Sequence, residues 1–406
     1  MSKTKIITGL DIGTSTIKML VAAKKKGEEK FDILFLGEEP SLGVRRGVVT
    51  DTEKVSRIIQ ILVDKARTES GQKIHSVFVN IGGCHLISTS SRGMVAVSRA
   101  DRSVSKEDVD RVLQEAARAV SLPSNNEILE TYPREFIVDG MGGIKVAEGL
   151  QGGRLETEVL ILSGFMPYKN NLVEAVVEAN IQIADIIPSP LASSAIVLSQ
   201  RQKELGVALL EIGAGTSELA VFEEGDLTHL AIFPIGSANI TSDIAIGLKT
   251  DIDTAEIIKI ERGCCLFKGN DKKEKIEIEG EEPLSFSQKT LAGIVEARVS
   301  EIFDQCQKEL KRIGKIGLLP SGVVLTGGGA KIPKIVDLAK KELKLPCRLG
   351  KISHFPKLED EPNYATVCGL VFKGSESEGG RNWQGGGFSG SGLADKIKKI
   401  FKIFIP

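Results

Sequence analysis

The residues best suited to chemistry belong to a motif that occurs twice, its two carboxylates two hundred positions apart. The first copy reads Ile6-Ile7-Thr8-Gly9-Leu10-Asp11-Ile12-Gly13-Thr14-Ser15, the second Val207-Ala208-Leu209-Leu210-Glu211-Ile212-Gly213-Ala214-Gly215-Thr216-Ser217. Each is an apolar run ending in a carboxylate, then a turn of glycine and hydroxyl residues, then a second apolar run (Ile17 to Ala22, Leu219 to Phe222). Such a turn aims several backbone N–H groups into one concavity suited to phosphate. Glycine lets the backbone come close, and Ser or Thr hydroxyls add donors. Facing copies would grip a polyphosphate from both sides. Asp11 and Glu211 would hold a hydrated Mg²⁺, which prefers carboxylates and water. Lys18, on the run leaving the first turn, could reach the phosphates as a point charge. Either turn alone would read as an ordinary hairpin; it is the repetition after matched apolar runs that points to phosphate. A third glycine-rich turn, Val323-Val324-Leu325-Thr326-Gly327-Gly328-Gly329-Ala330, permits close approach of a flat ligand such as a purine, with Pro333 expected to open the next helix.

Other frameworks are missing from the sequence. There is no GxxxxGK[ST] phosphate loop, no GxGxxG opening a βαβ unit, no HExxH and no GxSxG elbow. The histidines His75, His85, His229 and His354 are scattered and read as structural or surface residues. Cys84, Cys264, Cys265, Cys306, Cys347 and Cys368 form no CxxC pair, so buried free thiols are expected in place of a zinc site or disulfides. A formal net charge of −1 carries no nucleic-acid-binding signature.

The elements that must position these turns alternate short apolar strands with amphipathic helices, the pattern of a layered α/β fold, and 406 residues predict two or three domains. Ile6 to Leu10, Lys18 to Ala23 and Phe31 to Gly37 read as neighbouring strands. Val55, Ile58, Ile59, Leu62, Val63 and Ala66 repeat at helical spacing, and Val77 to Ile81 returns as a strand. A second helix is signalled by Ser105 as N-cap, Asp108 in the first turn and Pro123 as a stop. From about Cys84 to Leu162 the rhythm breaks, which suggests an inserted subdomain. Val159 to Ser163 is expected to resume the main sheet, followed by helices over Leu172 to Ala179 and Leu191 to Gln200. Nine of the fifteen residues from Gly269 to Pro283 are charged, which predicts a solvated hairpin or loop. Ser375 to Ser391 has ten Gly or Ser in seventeen and reads as a flexible linker, although it holds the sole tryptophan, Trp383, for which the sequence offers no account.

Beyond that linker the last fourteen residues carry a local charge of +3. On a helical wheel Leu393, Ile397, Ile400, Phe401 and Phe404 share one face with Ile403 and Ile405 at its edges. Lys398, Lys399 and Lys402 lie opposite. This is the pattern of a helix lying in a membrane surface rich in anionic headgroups, favoured over docking on the protein's own core because a core helix needs no long leash. One such helix is a weak anchor, so stable attachment implies self-assembly of many copies. The N-terminus carries no signal-peptide pattern and no eighteen-residue apolar run occurs, so a cytoplasmic protein is expected.

The two phosphate turns, the third turn and the amphipathic end resemble the actin-like ATPase superfamily, and within it the FtsA family of bacterial cell-division proteins. The resemblance runs through Arg92 to Asp101, Gly153 to Val159, Phe233 to Ala245 and Ala255 to Lys259. It implies two RNase H-like halves around a nucleotide cleft, with an inserted FtsA-type subdomain. In numbers, that means subdomain 1A at 1–84, 163–204 and 361–374, 1C at 85–162, 2A at 205–237 and 301–360, 2B at 238–300, a linker at 375–391 and a membrane-targeting helix at 392–406. It implies ATP and Mg²⁺ held by Gly13, Thr14, Ser15 and Lys18 on one side and Gly213, Ala214, Gly215 and Thr216 on the other. Adenosine would lie near Gly327, Gly328, Gly329 and Lys331, with Glu256 and Lys259 toward the ribose and base. It also implies membrane-bound protofilaments at the division site that tether the tubulin-like protein FtsZ by its C-terminal peptide, with Arg298 part of the dock, and that bring in later division proteins. The family usually has Asp where this chain has Glu211, and often where it has Glu218. An extra methylene moves a carboxylate by about 1.5 Å, and misplacement on that scale costs on the order of 10²-fold in rate. ATP binding with slow or absent hydrolysis is therefore expected, Glu211 being the candidate catalytic residue. A pilus-assembly-type cytoplasmic adaptor and, third, a small-molecule kinase of the same superfamily are the alternatives.

Overall fold

The first motif folds as a hairpin because its apolar runs can bury both faces. Lys5–Ile12 and Thr16–Lys24 pair antiparallel around the turn at Gly13–Ser15, and nearly every residue of both strands is buried, as expected where a sheet is covered on both sides. In this computed structural model, which describes residues 4–267, 269, 273–276, 284–358 and 362–376, the hairpin is the centre of a five-stranded sheet. Its order is Gln182–Pro188, Ser76–Ile81, Lys5–Ile12, Thr16–Lys24, Asp32–Pro40. The helix Thr52–Ser70 starts at Asp51, whose side chain accepts from the Lys54 N–H, and ends at Gly71 in the left-handed region (φ 65°). It buries Val55, Ile58, Ile59, Leu62, Val63 and Ala66. The helix Ala365–Glu376 lies so close to the first strand that a Cβ on Gly9 would meet the Val367 carbonyl oxygen at 2.8 Å.

The second motif repeats this plan. Val207–Ile212 and Ser217–Glu223 form a hairpin inside a five-stranded sheet of order Asp226–Phe233, Ser217–Glu223, Val207–Ile212, Val323–Thr326, Cys347–Leu349. Its core is completed by the helices Ser237–Leu248, Ile252–Arg262, Gln288–Arg312 and Ile335–Leu343, through residues such as Ile240, Ile258, Leu291, Val295, Phe303 and Leu338. The two like halves expected from the repeated motif are therefore present.

The chain divides into two compact units. The larger comprises the described residues of Met1–His85, Pro167–Gly225 and His229–Arg381, and so contains both sheets above. The smaller, Leu86–Met166 with Asp226–Thr228, has its own four-stranded sheet in the order Ile87–Ala96, Arg154–Phe165, Asn126–Val138, Met141–Ile144. The helix Lys106–Arg118 begins with a reciprocal cap between Ser105 and Asp108. It lies on the sheet at Gly93, where a Cβ would come within 2.2 Å of the Val112 carbonyl oxygen. The core of this unit is Val112, Leu113, Ala116, Phe136, Leu155, Val159 and Ile161.

Several local expectations need correction. Val159–Ser163 does not resume the main sheet: it is part of the long strand Arg154–Phe165 at the centre of the inserted sheet, and the main sheet resumes at Gln182–Pro188. The run Leu191 to Gln200 is two helices, Ser189–Val197 and Gln200–Leu205, because Leu198 is extended. Pro333 does not open a helix; a 3₁₀ turn at Gly328–Lys331 comes first, and the helix begins at Ile335 after Lys334 in the left-handed region. Cys84 is exposed and Cys264 half-buried, while the other four cysteines are buried free thiols. In the charged segment, Lys273–Ile276 pairs with Leu284–Ser287 as a hairpin. The expected membrane helix, most of the linker and Trp383 lie outside the described residues.

Candidate functional site

The two turns close identically. Gly13 N–H donates to the Thr16 carbonyl (3.1 Å) and Gly213 N–H to the Thr216 carbonyl (2.9 Å). The carbonyls of the second turn are taken up by a helix start: Ser237 N–H bonds to Gly213 O (2.8 Å) and Ala238 N–H to Ala214 O (2.9 Å). Thr14, Ser15, Ala214 and Gly215 donate no backbone hydrogen bond among the described residues, which leaves four N–H groups for a ligand. The turns also meet. A Cβ on Gly215 would lie 2.9 Å from both the hydroxyl and the methyl of Thr14, so glycine lets the second turn pack against the Thr14 side chain.

Register places the charged groups. Across the first hairpin Asp11 stands opposite Lys18; across the second Glu211 stands opposite Glu218. The same position in the two copies thus holds a cation once and a carboxylate once. Lys18 Nζ is 3.7 Å from Asp11 Oδ2 and bonds to the Thr16 hydroxyl (2.8 Å). Asn80, at the end of the neighbouring strand, donates from Nδ2 to Asp11 Oδ1 (2.9 Å) and to the Ser189 hydroxyl (3.1 Å), and accepts from the Ile12 N–H (2.7 Å). Both oxygens of Glu211 are engaged: Ser193 Oγ donates to Oε2 (2.6 Å) and Thr366 Oγ1 to Oε1 (2.5 Å). Glu218 is buried, accepts from the Thr216 hydroxyl at 3.4 Å, and leaves its Oε2 with no hydrogen-bond partner.

Burial raises the proton affinity of all three carboxylates. Burial pushes Asp11 up, and Lys18 opposes it. Burial pushes Glu211 up to about 7 against the bonds from Ser193 and Thr366, with Asp11 adding to the rise. Glu218 is pushed well above the usual carboxylate range by burial, then by Glu211 and Asp11. Carboxylate oxygens are the donors that a hard cation keeping part of its water prefers. Among the described residues no three His, Cys, Asp or Glu side chains are disposed to ligate an ion directly.

The third turn joins the same neighbourhood. Gly327 (φ 83°) crosses over the end of the second strand, where a Cβ would fall 2.5 Å from the Ile212 carbonyl oxygen, and Gly329 is equally close to the Ile212 side chain. Gly328 is exposed, and a Cβ on it would lie 3.9 Å from the Asn363 Cβ. Lys331 ends the 3₁₀ turn. Glu256 and Lys259 pair with each other (2.6 Å); Lys259 also bonds to Thr241 (2.8 Å) and the Ser237 carbonyl (3.4 Å), one residue's hydrogen bonds away from the second turn. Arg298 is held elsewhere, in a two-pronged ion pair with Asp243 (2.6 and 2.8 Å) and a bond to Glu301 (2.6 Å). The residues that sequence reasoning missed are Asn80, Ser189, Ser193 and Thr366. Only Asn80 left a signal: a polar residue near the end of an apolar run that leads into Gly82-Gly83, as Asp11 leads into Gly13.

Comparison with known proteins gives a consistent result. A family model described as "Cell division protein FtsA" matches residues 208–369, and one described as "SHS2 domain inserted in FTSA" matches residues 83–163. The protein named cell division protein FtsA of Pseudomonas aeruginosa is 37% identical over 380 residues, covering 92% of this chain and 90% of its own. That of Bacillus subtilis is 35% identical, covering 91% and 84%, and that of Escherichia coli K12 33%, covering 92% and 91%. Among solved structures, a PilM-PilN type IV pilus biogenesis complex superposes with a TM-score of 0.66 at 17% identity, covering 91% of this chain and 98% of that one. MreB5 of Spiroplasma citri bound to ADP gives 0.56 at 13%, covering 92% and 99%. These likenesses establish an actin-like fold.

Proposed function

This chain belongs to the FtsA family of cell-division proteins, and from that premise we propose that it binds ATP with Mg²⁺ between its two hairpin turns and tethers FtsZ filaments to the membrane. The observation that carries the nucleotide reading is the meeting of two like turns at Thr14 and Gly215 with Asp11, Glu211 and Glu218 behind them. The free N–H groups of Thr14, Ser15, Ala214 and Gly215 would hold phosphates, with Gly13, Gly213 and Thr216 shaping the turns and Lys18 adding charge. Asp11 and Glu211 would hold Mg²⁺ through water, and the ion when bound would neutralise phosphate charge. Adenosine would rest on Gly327–Gly329 and Lys331, with Glu256 and Lys259 toward it.

Hydrolysis should be slow. Glu211 reaches one methylene farther than the aspartate usual in the family, which displaces its carboxylate by about 1.5 Å, and misplacement on that scale costs on the order of 10²-fold in rate. The MreB5 neighbours carry ADP and AMPPNP in their names, and a MamK filament shares the fold at TM-score 0.53; nucleotide binding and self-polymerisation fit the same frame. Among the described residues no helix is long and apolar enough to cross a membrane. Attachment is assigned to the basic amphipathic segment, where helical spacing in the sequence would set Leu393, Ile397, Ile400, Phe401 and Phe404 against Lys398, Lys399 and Lys402. The FtsZ C-terminal peptide would dock on the part of the second half that contains Arg298, later division proteins joining afterwards.

Co-sedimentation with anionic liposomes tests the tether, comparing the full chain with one ending at Glu376, with and without Mg-ATP. Only the full chain should pellet, more so with ATP or at higher concentration. Equal pelleting of both, or of neither, removes the tail as the anchor and favours a cytoplasmic adaptor. Fluorescent-nucleotide titration with and without Mg²⁺ tests the cleft.

A further inference from the structure

Between the strand Asp32–Pro40 and the helix Thr52–Ser70 the chain makes a small hairpin, Val44–Arg45 paired with Val48–Val49. Its tip, Arg46 and Gly47, has positive φ at both residues (49° and 75°), the turn geometry that matches strand twist and admits few side chains readily. The tip is wedged where the phosphate turns meet. Gly47 N–H donates to the Thr14 hydroxyl (2.9 Å), and a Cβ on Gly215 would lie 3.1 Å from Arg46 Cα. A Cβ on Gly47 would lie 2.8 Å from the Gly83 nitrogen, and one on Gly83 3.1 Å from the Arg46 carbonyl oxygen. Contacts this close fix the backbone from which the Arg46 side chain springs.

The charge balance gives that side chain a task. Lys18 is already paired with Asp11, and Glu211 stands opposite Glu218 where the first hairpin has that lysine, so a polyphosphate entering here needs positive charge beyond Lys18. Arg46 is exposed and makes no ion pair or side-chain hydrogen bond among the described residues. The Gly82-Gly83 step links its backbone to Glu218: a Cβ on Gly82 would lie 3.1 Å from Glu218 Oε1, and one on Gly83 3.1 Å from the Arg46 carbonyl oxygen.

Position along the second turn says which phosphate the arginine meets. The triple-glycine turn abuts Ile212, just before Gly213, whereas Arg46 abuts Gly215 beyond it. A nucleotide with its base on Gly327–Gly329 therefore runs its phosphates toward Gly215 and reaches Arg46 last. We propose that Arg46 recognises the terminal phosphate of a bound nucleoside triphosphate, so that the hairpin tip discriminates triphosphate from diphosphate. Arginine suits the role because its planar fork binds phosphate oxygens in pairs. The inference rests on the nucleotide reading above.

The test is the affinity of Mg-ATP and Mg-ADP for the full chain and for Arg46→Gln, Arg46→Lys and Arg45→Gln, measured by calorimetry. For the loss of one charge-assisted contact, Arg46→Gln should weaken ATP about tenfold or more and ADP less than about twofold. Arg46→Lys should fall between, and Arg45→Gln should match the wild type. Equal weakening of both nucleotides, or of neither, overturns the role of Arg46 while leaving the cleft assignment in place. A wild-type protein that binds neither nucleotide brings down the cleft assignment and this inference together.

Discussion

Glu211→Gln removes one charge from the carboxylate group while keeping the side chain's shape, and the result follows from the geometry. The folded protein raises this carboxyl from 4.5 to about 7, through burial first, against the hydroxyl bonds of Ser193 and Thr366. The folded state therefore holds the proton more tightly than the unfolded chain. That contribution to stability is fully present below about pH 4.5 and is lost as pH rises through about 7. At about 1.36 kcal/mol per pH unit the loss has a ceiling of about 3 kcal/mol. The glutamine still offers an acceptor and a donor to two hydroxyls that can rotate to meet either, so few hydrogen bonds are lost. Without nucleotide or divalent cation, at pH 8, the variant should be the more stable by about 1–3 kcal/mol. In thermal unfolding that is a rise of several degrees, given about 2–4 °C per kcal/mol for chains of 150–250 residues and less for larger ones. Melting followed by circular dichroism from pH 4.5 to 8.5 in EDTA reads it directly. The gap between variant and wild type should widen with pH and narrow when Mg²⁺ is added. A variant that melts at or below the wild type at pH 8, or a gap independent of pH, would refute the reasoning.

Three further outcomes are expected. Asp11→Asn should keep the bond from Asn80 by rotating its amide, yet weaken Mg-ATP binding by about tenfold or more through loss of a cation-holding charge, and binding titrations should no longer respond to EDTA. Gly369→Ala would put a Cβ 1.9 Å from the Ala192 carbonyl oxygen, so the helix Ala365–Glu376 must shift from Ser189–Val197; a lowered urea midpoint, equivalent to about 1–3 kcal/mol or more, is the readout. Phe401→Glu should abolish liposome pelleting while leaving nucleotide affinity unchanged, and persistence on liposomes would contradict the tail as anchor.

Much of this protein is local information. The repeated strand–carboxylate–turn motif was legible because a strand covered on both faces reads as an unbroken apolar run, and because glycine and hydroxyl residues announce a tight turn. The cap at Ser105 and the basic amphipathic pattern from Leu393 onward are equally local, depending on spacings of three and four residues. Sheet membership was not legible: Val159–Ser163 has the composition of a core strand, and nothing within it says that its partners are Ile87–Ala96 and Asn126–Val138. Nor was the site's hydrogen bonding, since Asn80, the helix carrying Ser189 and Ser193, and Thr366 are far apart in the chain and converge on Asp11 and Glu211 only in the fold. Glu218 makes the division plain. By type it is a surface residue, and only antiparallel register turns it inward opposite Glu211, where desolvation and like charge change its chemistry. Which turns could hold phosphate is written in local residue types and spacing; which charges those turns confront is set by the fold, because the strength of an interaction depends on distance and burial that no stretch of sequence contains.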